Sequence, residues 1–146
     1  MRPRLSPLAL LLVAGLWLAT GSLAAPACPK AGEIEAGMLT GRWQITWTDG
    51  ARQRGETPWL LELQPHPEYR GSLKGQLSRD GERRLVVADW DDDTLTMEES
   101  ADGQRIDATW QATASEGSCG RALQGLRFTG SAPDASARRF RMRALP

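Results

Sequence analysis

Asp89, Asp91, Asp92 and Asp93 place four carboxylates within five positions, the densest set of candidate metal ligands in the chain. A hard cation such as calcium is held by about six to eight oxygens, and the EF-hand pattern supplies them with a central glycine and a terminal bidentate glutamate. Neither residue stands at the required offset here. Asp91 and Asp93 are therefore weak metal candidates, and a solvated turn is the plainer reading. A glycosidase would need two carboxylates facing each other about 5–9.5 Å apart across a cleft, and nothing in the linear spacing indicates that.

His66, in "LQPHPEY", is the only histidine and is flanked by Pro65 and Pro67. One histidine does not make a histidine-rich metal centre, and an extended Pro-His-Pro segment reads as a locally hydrogen-bonded loop. The chain contains no G-x-S-x-G elbow, no phosphate-binding or dinucleotide glycine pattern and no C-x-x-C. The expectation is a protein that is not an enzyme and carries no cofactor.

Binding chemistry is better represented. Trp43, Trp47, Trp59, Trp90 and Trp110 follow the first 27 residues, and each indole can bury about 150–250 Å² while presenting one N–H donor. They alternate with Ile45, Leu61, Leu63, Ala108 and Ala112, which puts the rings on an inward face. Two readings stay open: a solid core, or a cavity in which Trp43, Trp47, Trp59 and Trp110 bind a small apolar or flat ligand.

The segment "RRFRMR", residues 138–143, alternates in the same way, with Phe140 and Met142 inward and Arg139, Arg141 and Arg143 outward. Cross-strand pairing with the acidic stretch 91–99 would make this an ordinary wet face. The same three arginines could instead form an electropositive stripe for an acidic protein partner, a glycan or a lipopolysaccharide phosphate. Nucleic acid is not expected, because stacking aromatics would have to share that outward face.

These side chains must be positioned by strands. Period-two alternation punctuated by Asp49-Gly50, Asp80-Gly81, Asp91-Asp92-Asp93 and Asp102-Gly103 gives eight short strands, near 41–48, 58–64, 70–78, 83–90, 93–98, 104–113, 121–129 and 138–145. In the seventh, Ala122, Leu126 and Phe128 are the expected inward residues. Residues 30–39 allow one or two helical turns, limited by Gly32 and Gly37. The predicted fold is all-β, an antiparallel meander closing into an up-and-down β-barrel of about eight strands, with a β-sandwich as runner-up.

The first residues read as a secretory signal: Arg2 and Arg4, an apolar run from Leu8 to Ala19, then small residues. Cleavage is expected after residue 24 or 27, leaving 28–146 as one domain, without a retained membrane segment, in the periplasm or secreted. Losing Arg2 and Arg4 from 18 Lys+Arg against 18 Asp+Glu leaves a formal balance of minus two, too little to gather polyanions by net charge. Cys28 and Cys119 are expected to form a disulfide in an oxidising compartment, with a lipidated Cys28 as the alternative.

Two stretches, "LTGRW" at 39–43 and "GSLKGQL" at 71–77, resemble the opening strands of the biotin-binding barrel family. The resemblance spans about a tenth of the exported chain and implies the barrel architecture. Gln44, Ile45, Thr46 and Leu77 depart from that family's polar and tyrosine ligand-binding positions. The likeness therefore carries no ligand. Taken together, the sequence points to an exported binding protein that uses either a tryptophan-rich interior for a small ligand or its loops and basic last strand for an envelope or secreted protein.

Overall fold

Alternating apolar residues, each pair of runs separated by a short turn, pair in chain order because each hairpin brings its own neighbour alongside. The computed structural model describes residues 27–49, 56–131 and 136–146. The proposed signal segment lies outside these except for Ala27. Eight antiparallel strands follow one another: β1 (Gly41–Trp47), β2 (Trp59–Pro65), β3 (Ser72–Arg79), β4 (Glu82–Asp91), β5 (Thr94–Ser100), β6 (Ala108–Ala114), β7 (Ala122–Thr129) and β8 (Arg138–Ala144). The last strand returns to the first, with Trp43 opposite Ala144 and Trp47 opposite Phe140. This closes an eight-stranded barrel and rules out the sandwich.

The acidic cluster is part of this turn chemistry. Arg79 pairs with Glu82 and Asp91 with Thr94, so Asp80-Gly81 and Asp92-Asp93 are two-residue hairpin loops. Both residues of each loop have positive φ, 50° and 85° in the first and 45° and 59° in the second. That is the type I′ geometry, which aspartate tolerates better than most side chains.

Closure also needs bends inside strands. A Cβ on Gly75 would lie 1.8 Å from the Glu62 carbonyl oxygen, and one on Gly125 would lie 1.8 Å from that of Gln111. Both glycines occupy inward positions, opposite Leu63 and Ala112 respectively, and let one strand press against its neighbour's backbone where the wall curves.

The inward residues make one core, from Trp43 and Ile45 through Leu61, Leu73, Val86, Met97 and Leu123 to Met142. At one end the chain entering the barrel folds over it. The helical turns expected at 30–39 are two short 3-10 turns, Ala31–Glu33 and Ala36–Leu39. They bury Ile34 and Leu39, and the Trp43 indole N–H donates to the Leu39 carbonyl at 2.9 Å. Cys28 is bonded to Cys119 across a Cα separation of 4.7 Å, so a lipidated Cys28 is excluded and this plug is tied to the β6–β7 loop.

Two sequence expectations are corrected. Trp110 and Ala112 point inward and pair with Arg127 and Gly125, so the inward set of β7 is Leu123, Gly125 and Arg127. Ala122, Leu126 and Phe128 face out. Phe128 is nevertheless buried, 4% exposed, which explains why its hydrophobicity suggested the wrong phase. The neighbours of β8 are β7 and β1, whereas the acidic β4 and β5 lie across the barrel, so they cannot pair with Arg139, Arg141 and Arg143. Among the described residues no helix is long and apolar enough to cross a membrane.

Replacing both cysteines with serine is expected to lower unfolding stability by about 2–4 kcal/mol, because the bond closes a long loop. Gly125→Ala is expected to cost about 2–3 kcal/mol through backbone collision. Urea denaturation followed by tryptophan fluorescence measures both.

Candidate functional site

Because Ile45 on β1 faces Trp59 on β2, Trp47 and Trp59 emerge at the same end of the barrel, opposite the plugged one. Trp110 near the start of β6 and Phe140 on β8 reach the same place. Trp47 and Trp59 meet edge to face with centroids 5.3 Å apart, Trp47 and Trp110 stack at 5.7 Å, and Trp59 and Trp110 meet at 5.8 Å. Phe140 meets Trp110 at 4.9 Å. These are favourable aromatic geometries, and the rings fill this end by touching one another.

Arginines lie against the cluster. The Arg138 guanidinium stands 4.0 Å from the centre of the Trp47 ring, and that of Arg79 stands 4.9 Å from the Trp59 ring. Arg127 sits between two indoles, 5.6 Å from Trp59 and 5.3 Å from Trp110. Cation–π attraction of this kind strengthens as the cation is desolvated.

Beneath Arg127 lies Glu99, in phase with Leu95 and Met97 on β5 and only 2% exposed. Its Oε2 accepts the Trp110 indole N–H at 3.0 Å and the Arg127 Nε–H at 3.0 Å, with Arg127 Nη2 also at 3.0 Å. A buried carboxylate is tolerated only when charge and hydrogen bonds compensate it, and here one pair of groups does both while fixing the Trp110 ring. The other ion pairs are looser and wetter: Arg84 with Asp107 at 3.4 Å and Glu82 at 3.8 Å, Arg79 with Asp80 at 3.2 Å and Glu56 at 4.0 Å, and Arg138 with Asp49 at 3.7 Å and Glu56 at 3.8 Å.

Between these groups is a cleft of about 140 Å³ lined by Trp59, Leu77, Arg79, Glu82, Arg84, Glu99 and Arg127. An apolar cavity of roughly this size, about 150 Å³, accepts a single benzene ring. The polar atoms around the aromatic cluster are incompletely used. Among the described residues, the indole nitrogens of Trp47 and Trp59 are buried without a hydrogen-bond partner, each a liability of about 1–3 kcal/mol while unmet. Asp49 Oδ1 and Glu56 Oε2 have only their long ion-pair contacts to Arg138.

The structure thus brings Trp47, Trp59 and Trp110 together and places Trp43 at the plugged end with its N–H satisfied. Arg139, Arg141 and Arg143 are exposed on the outer wall, with no ion pair among the described residues. Asp91 and Asp93 flank or form the β4–β5 turn, and no group of three or more acidic, histidine or cysteine side chains gathers for a metal among the described residues. Asp89 accepts the Ser72 hydroxyl. His66 Nδ1 accepts the Glu68 and Tyr69 N–H groups, both at 3.2 Å, and so organises its own loop.

The loop between β5 and β6 rims the aromatic end. Asp102 holds it by accepting the Arg105 and Gln104 backbone N–H groups, each at 2.9 Å, and the Ser100 hydroxyl at 3.1 Å. The Arg105 and Gln104 bonds are the main reason its carboxyl is lowered to about 2.

Sequence reading missed Arg79, Arg84, Arg127, Arg138, Glu56 and Glu99. The signal was present for two of them: Glu99 continues the spacing of Leu95 and Met97, and Arg79 that of Leu73 and Leu77. Charged side chains at inward positions mark the place where the barrel interior stops being dry.

Arg127→Met is expected to destabilise the fold by about 3–5 kcal/mol by stranding Glu99. Arg139→Met on the outer wall should stay within about 0.5 kcal/mol of the native protein. Chemical denaturation of the two variants side by side provides the comparison.

No protein-family model matches the chain, and no curated protein matches it in sequence.

Proposed function

We propose that this protein is an exported, non-enzymatic binding barrel whose aromatic end takes a small flat ligand bearing hydrogen-bond acceptors. The observation that carries this reading is a pair of buried indole N–H groups without acceptors among the described residues, that of Trp59, which lines the arginine-rimmed cleft, and that of Trp47, packed against Trp59. Trp43 and Trp110 carry the same group and each has its acceptor. Among the described residues, both indoles that lack an acceptor are thus at the end that opens, where a ligand can supply what the fold does not; the other unmet side-chain donor is the Ser115 hydroxyl, in the β6–β7 loop at the plugged end.

The cleft's volume suits one planar ring. Trp59 offers a face, Arg79 and Arg127 offer guanidinium planes that already stack on indoles, and Leu77 supplies an apolar wall. A ring between such surfaces gains stacking and loses water, while its acceptor atoms choose the orientation. The carboxylates at this end are engaged with arginines as cage walls, which favours binding over acid–base chemistry. Export is supported by the Cys28–Cys119 bond, of a kind that persists in oxidising compartments.

The test is a fluorescence titration of the native protein with single-ring aromatic compounds that differ only in acceptor groups. Acceptor-bearing rings are expected to quench or shift the tryptophan emission, and the unsubstituted ring to bind at least about tenfold more weakly, one hydrogen bond's worth. Trp59→Phe, which keeps a ring and removes the donor, should erase that difference. An emission spectrum indifferent to the whole panel would end this reading.

A further inference from the structure

We propose that the outer wall formed by β7, β8 and β1 is a second binding surface, built for an acidic polysaccharide. Arg139, Arg141 and Arg143 project outward at alternate positions of β8, which spaces their Cα atoms roughly 7 Å apart along a line. Arg42, on the outward phase of β1, extends the row beside Arg143, since Gln44 pairs with Arg143 and the Leu145 N–H bonds the Arg42 carbonyl. All four side chains are exposed.

Barrel closure is what leaves them unpaired. The outward positions flanking β8 are Gln44 and Thr46 on β1 and Ala122, Gln124 and Leu126 on β7, and none is acidic. No carboxylate lies within ion-pair distance of these four arginines among the described residues. The acidic side chains of β4 and β5, Asp89, Asp91 and Glu98, occupy the far side of the ring. Arg42 at the border faces Glu62 on β2, whereas the three arginines of β8 have no acidic cross-strand neighbour and keep their field for an external partner.

The class of partner follows from what lies between the arginines. A groove along this wall is lined by Gln44, Thr46, Gln124 and Ser115 together with Arg141 and Arg143, so amides and hydroxyls alternate with guanidiniums. That combination suits a ligand rich in hydroxyl groups and bearing sulfate, phosphate or carboxylate at intervals. A protein partner would call for aromatic or large apolar anchors at the centre of the contact, and a lipid surface for apolar side chains that enter it. Of the exposed large apolar residues, Met38, Tyr69, Leu85 and Val87 lie off this wall, and Leu60 stands at its β2 border opposite Gln44, away from the row on β8. A linear, rigid row of cations facing hydroxyl-binding side chains therefore favours the acidic glycan.

The experiment uses the exported chain with its disulfide intact and measures binding to heparin, a sulfated polysaccharide, across a salt series. Polyglutamate of matched charge and phosphatidylglycerol vesicles serve as the competing classes. Native protein is expected to bind heparin more tightly than either. Arg139→Gln/Arg141→Gln/Arg143→Gln should weaken heparin binding by about tenfold or more at low salt and flatten the log–log salt slope by roughly one unit per arginine removed, as counterion release requires. Circular dichroism and thermal unfolding of the triple variant confirm that the fold is retained, and Arg141→Gln alone should give an intermediate loss. Trp59→Phe should leave heparin binding intact, which separates this surface from the aromatic end. Absence of heparin binding, or a triple variant that binds as well as the native chain, overturns the proposal. Polyglutamate binding as tightly and with the same arginine dependence would make the partner an acidic protein, and vesicles doing so would make it a lipid surface; either result also overturns it.

Discussion

The pairing of β1 with β8 is the constraint on which the rest depends. An open eight-stranded meander would leave two edges with unpaired N–H and C=O groups, and closing it satisfies them at once. Closure, however, fixes a narrow interior. Eight strands enclose space that side chains alone can fill, so every inward position is answerable to every other. Gly75 and Gly125 are where this demand is sharpest, because curvature brings neighbouring backbone into the volume that a Cβ would occupy. Binding is thereby pushed to the ends and the outer walls.

The two ends meet that constraint differently. At one, Ile34 and Leu39 descend from the entering chain as apolar stoppers, the disulfide anchors them, and Trp43 finds an acceptor in the same segment. At the other, no such plug is present among the described residues, and the inward positions carry charge. Glu99 and Arg127 form a floor that is fully compensated and holds Trp110 in place, while in the shell above it the Trp47 and Trp59 indoles have no acceptor among the described residues and Asp49 and Glu56 reach Arg138 only at 3.7 and 3.8 Å. Identical indoles therefore stand in different circumstances: Trp43 and Trp110 have acceptors, and Trp47 and Trp59 have none among the described residues. The difference lies in what surrounds the nitrogen.

Most of the fold was legible because period-two alternation and turn dipeptides are local signals. All eight strands lie close to their expected positions, and Asp80-Gly81 and Asp92-Asp93 turn the chain because their conformations are set by two residues each. What sequence hid was tertiary. Phe128 is buried on the outside of the wall, so hydrophobicity alone assigned β7 the wrong phase, and that error also turned Arg127 outward. The partners of β8 depended on closure, which is a property of the whole ring and of no single segment. The candidate site was half visible: Trp47, Trp59 and Trp110 announced themselves by type, while the arginines and Glu99 looked like surface residues until registry placed them inside.

Registry also explains how one small barrel can carry two independent surfaces. Adjacent residues on a strand point to opposite faces, so Phe140 and Met142 pack the interior while Arg139, Arg141 and Arg143, one position away each, never touch it. Packing therefore constrains one set and leaves the other free. The opposed charges of β8 and of β4 and β5 are separated by the full thickness of a packed interior, about 10 Å between facing sheets before the side chains are added, against a screening length of about 8 Å at physiological salt. They cannot neutralise each other effectively. A fold that forces its apolar residues inward at every second position has, in the same stroke, displayed an uncancelled row of guanidiniums along one strand.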